Sequence, residues 1–253
     1  MTKIITITNV KGGVGKSISA LFLANILAED KKVLLIDLDS QNSLTSFYFE
    51  DYSGIENKTI LEALLGQADI KNIVKTISEN LDFIPADISL SNLTNQLTEN
   101  REFKLYSILE NIKGNYDHII IDTPPSLHIE TKLALAVSNF VIIPTLLEKW
   151  AIRSIEIVLN YIETKNIPLQ GIIKTQLENV LILPTMLEKN RKIQDIVLND
   201  LKGKYRDRVL AGISRKTDIQ KLSYIGKDIK LKGLEAYKEY KGVLESILEP
   251  VKA

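Results

Sequence analysis

The sequence predicts an α/β fold, a mostly parallel twisted sheet with helices on both faces, carried by a single domain over residues 1–253. Runs of β-branched and aliphatic residues recur, each followed by a stretch of helical period, and that alternation builds parallel sheets from strand–helix–strand units. Most of the runs are apolar without a break, as strands covered on both faces require. A chain of 253 residues suits one large domain or two small ones. No Pro/Gly/Ser-rich linker, internal repeat or low-complexity tract divides it, so one domain is the reading.

Strands are expected at Lys3–Thr8, Lys32–Asp37, Leu81–Pro85, His118–Asp122, Phe140–Pro144, Val180–Leu183 and Arg208–Ile213, where β-branched residues concentrate. Helices are expected at Lys16–Glu29, Thr59–Leu65, Phe103–Ile112, Thr131–Val137, Ile152–Thr164, Lys189–Leu201 and Leu234–Leu248. A composition of 45% hydrophobic and 25% charged residues excludes a disordered chain. The absence of cysteine removes disulfides, thiolate zinc sites, iron–sulfur ligation and cysteine nucleophiles, and it suits a reducing compartment. The opening MTKIITITNV is too short and interrupted for a signal peptide or a membrane span, so a cytoplasmic protein is expected.

A formal net charge of zero excludes a polycation that seeks nucleic acid indiscriminately. Charge is nonetheless uneven: Lys189 to Lys232 holds thirteen Lys or Arg against five Asp. That excess is either a solvated helix face or an anion-binding surface.

The strongest chemical signal is Asn9-Val10-Lys11-Gly12-Gly13-Val14-Gly15-Lys16-Ser17, set between an apolar strand and a helical run. A phosphate-binding loop needs this setting, because successive backbone N–H groups must converge on phosphate oxygens at the positive end of a helix. Lys16 is placed to reach the β- and γ-phosphates and the Ser17 hydroxyl to ligate Mg²⁺. The alternative is a tight turn that is merely glycine-rich. Two apolar strands then end in acids: Val33-Leu34-Leu35-Ile36-Asp37-Leu38-Asp39 and His118-Ile119-Ile120-Ile121-Asp122. An i, i+2 pair puts Asp37 and Asp39 on one face at a strand's C-terminal end, where open parallel sheets bind ligands. Like charges there are costly unless something cationic or a reacting water uses them. The competing role for each is a helix or turn cap. Asp122 has the Walker B arrangement and is expected to hold Mg²⁺ through water, with Pro124 and Pro125 stiffening the segment that follows. His118 and His128 have no partners that suggest a metal or a triad.

The standard phosphate-loop pattern needs glycine at position 10, where this sequence has Val10; it carries instead a second lysine, Lys11, ahead of the glycine pair. Lys11-Gly12-Gly13-Val14-Gly15-Lys16-Ser17 is the deviant Walker A motif, and the chain resembles the ParA/MinD family of P-loop NTPases, nearest the short ParA or Soj type, from Lys3 to about Ile229. The resemblance implies an ATP-hydrolysing protein using ATP/ADP and Mg²⁺. It implies that Lys11 crosses a homodimer interface to the partner's nucleotide, that Asp39 positions or activates the attacking water, and that Asp37 lies in the magnesium network. The nucleotide-binding residues carried over are Lys11, Gly12, Gly13, Val14, Gly15, Lys16, Ser17 and Ile18, with Thr185, Met186 and Ser214 in the two base-proximal loops; Ser17, Asp37 and Asp122 form the metal set. The sequence departs from the family at Ile18, Ser40 and Ser214, where threonine, proline and proline are usual.

The resemblance also implies a plasmid or chromosome partition ATPase whose ATP-bound dimer coats nonspecific DNA, associates with the nucleoid and is stimulated by a ParB-type centromere-binding protein. Lys189, Arg191, Lys192 and Arg215 are the candidate phosphate contacts; a family arginine falls at Asp218. Abundant Ile, Lys, Asn and Leu, with Glu148-Lys149-Trp150-Ala151, resemble plasmid-partition proteins of spirochaetes. Trp150 is read as a core or interface anchor before a base-stacking residue. Two alternatives stand beside this reading. A MinD-like membrane-cycling ATPase needs a basic amphipathic C-terminal helix, whereas Tyr240 to Pro250 carries two glutamates and ends in proline, so no stable membrane association is expected. A metabolic P-loop enzyme needs a second-substrate constellation, and none is visible.

Overall fold

The computed structural model describes residues 1–52, 54–97, 103–169 and 176–248. In chain order the elements are β1 (Lys3–Ile7), α1 (Lys16–Leu27), β2 (Val33–Asp37), α2 (Ser43–Tyr48), α3 (Ile60–Leu65), α4 (Ile70–Ile73), β3 (Lys75–Ser78), β4 (Leu81–Ile84), α5 (Leu93–Gln96), α6 (Lys104–Glu110), β5 (His118–Asp122), α7 (Ile129–Val137), β6 (Phe140–Leu146), α8 (Ala151–Leu169), β7 (Asn179–Thr185), α9 (Lys192–Tyr205), α10 (Leu222–Ile225) and α11 (Glu235–Leu248). One sheet takes all the strands in the order β3-β4-β2-β5-β1-β6-β7, parallel throughout except for β3 at the edge.

Period-2 alternation divides the strand residues between two layers. Ile5, Ile7, Val33, Leu35 and Ile120 join α1 and α11 in one core; Ile4, Leu34, Ile36, Ile119 and Ile121 join α3, α6 and α7 in another. A third cluster packs Val141, Ile143, Val180 and Ile182 against α8 and α9. α1 is apolar on nearly every side because it is covered twice, by the sheet and by α11. Tyr240 of α11 stacks on Phe22 of α1 at 4.8 Å between ring centroids, and its hydroxyl lies 3.1 Å from Ser19 Oγ. Among the described residues no helix is long and apolar enough to cross a membrane.

One strand expectation is corrected, and one strand was not expected. Arg208–Ile213 is not a strand: it meets β7 only through an isolated bridge between Ile182 and Val209. Leu210 N donates to Ile182 O at 2.9 Å, but the next rung needs an N–H from residue 184, which is proline, and the contact resumes only where Ile213 N reaches Pro184 O at 2.8 Å. β3 was not foreseen because Lys75-Thr76-Ile77-Ser78 has a polar, half-exposed edge pattern without an apolar run.

The last helix is tied to the first at Glu29. Its carboxylate receives Lys232 Nζ at 2.7 Å, the Tyr237 hydroxyl at 2.7 Å and Lys241 Nζ at 3.2 Å, and these donors pull its pKa down to about 2. A depressed carboxylate stabilises the fold above its unfolded pKa and loses that contribution as pH falls through the folded value. Glu29→Gln should therefore lower the melting temperature at pH 7 by an amount worth about 1 kcal/mol or less, given solvent screening. Thermal melts across an acid series should show the gap hold above pH 4.5 and close towards pH 2.

Candidate active site

β1 runs into the glycine loop, and the loop runs into α1 without a side-chain cap: the N-cap is Gly15, left-handed at φ 88°. Gly13 is likewise left-handed at φ 71°, a conformation that glycine adopts without steric cost. The first amide of α1 bonded within the protein is Ser19 N, to Gly15 O at 2.9 Å. The amides of Lys16, Ser17 and Ile18 are thus free at the positive end of the helix, ready for an anion. Side chains from neighbouring strands hold the loop. Asn9 Nδ2 donates to Pro144 O at 2.7 Å, Asn9 Oδ1 accepts from Lys11 N at 3.0 Å, and Thr185 Oγ1 donates to Val14 O at 2.9 Å.

Below the loop, register brings the acids together. β2 and β5 pair so that Asp37 faces Asp122, both fully buried, while Asp39 lies just beyond β2 and is 6% exposed. Burial pushes Asp37 up to about 6, against hydrogen bonds from the Asp39 amide and Thr45. Burial, with Asp37 and Asp39 nearby, raises Asp122 well above the usual carboxylate range. Asp122 Oδ1 accepts from Thr123 N at 3.1 Å, and among the described residues Oδ2 has no hydrogen-bond partner, although the Ser17 hydroxyl and the Lys16 ammonium act to lower the carboxyl's pKa. Lys16 lies buried among these acids; desolvation lowers its pKa, and Asp122 and Asp39 oppose that shift. One ammonium facing three carboxylates leaves the site short of positive charge, and the bare Asp122 Oδ2 fits a divalent cation or its water. Among the described residues no group of three His, Cys, Asp or Glu could hold a metal unaided. Such an ion would need oxygens from a bound phosphate, with Ser17 and Asp122 beside it.

A cleft of about 700 Å³ opens over the loop, lined by Gly12, Gly13, Gly15, Lys16 and Ser17, by the apolar Ile18, Leu21, Leu44, Phe47 and Leu222, and by Asp39, Pro125 and Met186. Of the base-proximal expectations, Met186 lines this cleft, Thr185 is 2% exposed with its hydroxyl spent on the loop, and Ser214 lines a separate pocket, its amide donating to Glu239 Oε2 at 2.8 Å. Lys11 is half-buried and ion-paired with Glu148 of its own chain. Trp150 is 55% exposed, so it is no core anchor, and Lys149 Nζ lies 5.4 Å from its ring centroid. Lys189, Arg191, Lys192 and Arg215 are all on the surface, and Arg191 and Arg215 share Glu188 at 2.9 and 2.7 Å. Asp218, the position at which the resemblance implies an arginine, accepts the Glu235 amide at 3.1 Å, where α11 begins. Sequence reasoning missed Asn9 and Thr45 as parts of the site, although a polar residue at a buried strand's end was the available signal for Asn9.

Replacing Asp122 with asparagine removes one of two adjacent buried carboxyl groups. The nucleotide-free Asp122→Asn protein should melt higher at pH 7, by about 2–4 °C per kcal/mol of repulsion relieved, and differential scanning calorimetry against wild type would read it. A lower melting temperature would mean that the pair is already neutralised.

The family described as an AAA domain matches residues 2–178. The sporulation initiation inhibitor protein Soj of Bacillus subtilis is 39% identical over 213 residues, covering 83% of this chain and 82% of that protein. A plasmid partition protein from Borrelia burgdorferi, crystallised with AMPPNP, superposes with a TM-score of 0.86 at 35% identity, covering 98% of this chain and 99% of the other. Cobyrinic acid a,c-diamide synthase from Mycobacterium smegmatis with bound ADP and magnesium superposes with a TM-score of 0.76 at 27% identity, covering 97% and 95%. With its glycine loop, its second lysine and its two acid-tipped strands, the chain belongs to the ParA/Soj family of partition ATPases.

Proposed function

We propose that this chain binds ATP with magnesium in the cleft over residues 12–17, pairs with a second copy across the bound nucleotides, and in that state coats nonspecific DNA to segregate a plasmid or chromosome. The observation that carries the reading is Lys11. It stands at the loop's outer rim, where its ion pair with Glu148 is partly exposed and open to exchange. Lys16, in contrast, is buried and serves its own loop, its Nζ donating to Lys11 O at 3.2 Å. An ATP analogue in the Borrelia relative supports the choice of nucleotide.

In hydrolysis the chain's contribution is position and charge. The free amides of α1 receive the phosphates, Lys16 neutralises charge at the β–γ bridge, and Lys11 of one copy does so for its neighbour. Asp39, held by its own bond from Gln41 N at 2.9 Å, orients the attacking water from the cleft wall. Magnesium, when bound at Ser17 and, through water, at Asp37 and Asp122, would supply the positive charge the three acids lack. A ParB-type partner would accelerate this slow step, and the exposed basic residues between Lys189 and Lys232 would meet DNA phosphates, so binding should weaken steeply with salt. Nucleoid association would follow from that binding.

A membrane cycle finds no support in α11, whose Tyr237, Tyr240, Val243, Leu244 and Ile247 are already buried; Glu249 and Pro250 lie outside the described residues. The likeness to cobyrinic acid a,c-diamide synthase keeps a metabolic reading open. Phosphoryl transfer from ATP to a small carboxylic acid, in place of DNA- or partner-stimulated phosphate release, would establish it.

The test is DNA co-sedimentation and light scattering with ATP, ADP and no nucleotide. Lys16→Ala should lose nucleotide, Lys11→Ala should bind it without pairing, and Asp39→Ala should accumulate as the ATP dimer. A Lys11→Ala protein that pairs normally with ATP would end the cross-interface assignment.

A further inference from the structure

Asp37 does more than face Asp122: it caps a helix from a distance. α2 starts at Ser43, and its N-cap residue, Asn42, is left-handed and makes no side-chain hydrogen bond to the first turn. The free amide of Thr45 is taken instead by Asp37 Oδ2, eight residues back, at 3.0 Å. The Thr45 hydroxyl donates to the same oxygen at 2.9 Å and accepts from the Ala86 amide beyond β4, also at 2.9 Å. The hydroxyl accepts from Ala86 through a lone pair and keeps its one proton for Asp37. Asp37 Oδ1 in turn accepts the Asp39 amide at 3.1 Å. Asp122, its neighbour in register, has one donor and one bare oxygen. Of two adjacent buried carboxylates, one is held on both oxygens and the other is open.

We infer that Thr45 is a positioning residue for the nucleotide–magnesium site. It holds Asp37 so that the Asp39 amide and the open side of Asp122 keep their places, and it makes α2 follow any movement of the Asp37 carboxylate. α2 carries Phe47 into the cleft. Gly226, which also lines the cleft, lies close against the helix: an added Cβ there would come within 3.1 Å of Phe47 O. A shift of Asp37 is therefore felt at the cleft wall. Thr45 is fully buried and does not line the cleft, so it acts on the site through the groups its hydroxyl and amide hold, Asp37 and the Ala86 amide.

This inference rests on the cleft being a nucleotide site. The experiment titrates a fluorescent ATP analogue into wild type, Thr45→Val and Thr45→Ser, each with magnesium and with EDTA. Wild type should bind more tightly with magnesium. Thr45→Val should match it in EDTA and lose about tenfold of the magnesium-dependent gain, the usual lower bound for a group that orients a metal's surroundings, and Thr45→Ser should restore it. Should the valine protein not fold by circular dichroism, Thr45→Ala is read in the same way. Full magnesium dependence without the hydroxyl overturns the inference, as does an equal loss in EDTA and magnesium, which marks a purely structural role. A wild-type chain that binds no nucleotide under either condition defeats the underlying reading of the site, and the inference with it.

Discussion

The register between β2 and β5 is the constraint on which the site depends. Parallel pairing from Val33 with His118 to Asp37 with Asp122 sets two carboxylates side by side at the dry end of the sheet. Two such charges are tolerable only if positive charge is gathered above them. The rest of the architecture supplies it: β1 lies on the other side of β5, and its glycine loop brings the free amides of α1 and the Lys16 ammonium over the acids. A one-residue slip in either strand would turn Asp37 or Asp122 to the opposite face and dismantle the arrangement.

Stiffness at the loop comes from strands that contribute nothing else to the chemistry. β6 offers the Pro144 carbonyl to Asn9, and β7 offers the Thr185 hydroxyl to Val14. Both bonds are to buried groups, where an unmade hydrogen bond is costly, so the glycine loop is held to one shape although its own residues constrain it little. The same economy appears at Asp37, which serves both the acid pair and the start of α2.

Much of this could be read from the sequence, for physical reasons that also mark its limits. Continuous apolar runs such as His118–Asp122 and Phe140–Pro144 revealed central strands because burial on both faces demands such runs, and the glycine loop stood out because few other functions place three glycines and two lysines there. Edge strand β3, half-exposed, had no such signature. Arg208–Ile213 has strand-like residues, but its pairing is set by Pro184, remote in sequence. Trp150, read by residue type as a core or interface anchor, is at the surface, which removes only the core half of that reading. Thr45 escaped notice because its meaning lies in Ala86, which no local pattern connects to it.

The packing of Tyr240 on Phe22 and Ser19 joins residues more than 200 positions apart. On the ribosome, the helix that follows the phosphate loop emerges well before α11, and its outer side waits for α11 to be made. Until then Phe22 and its apolar neighbours lie bare, a surface that chaperones recognise and that nascent chains aggregate through. The housing of the loop-bearing helix is therefore complete only once α11 has been made, and a ribosome that stalls before Glu235 releases a chain with that helix uncovered.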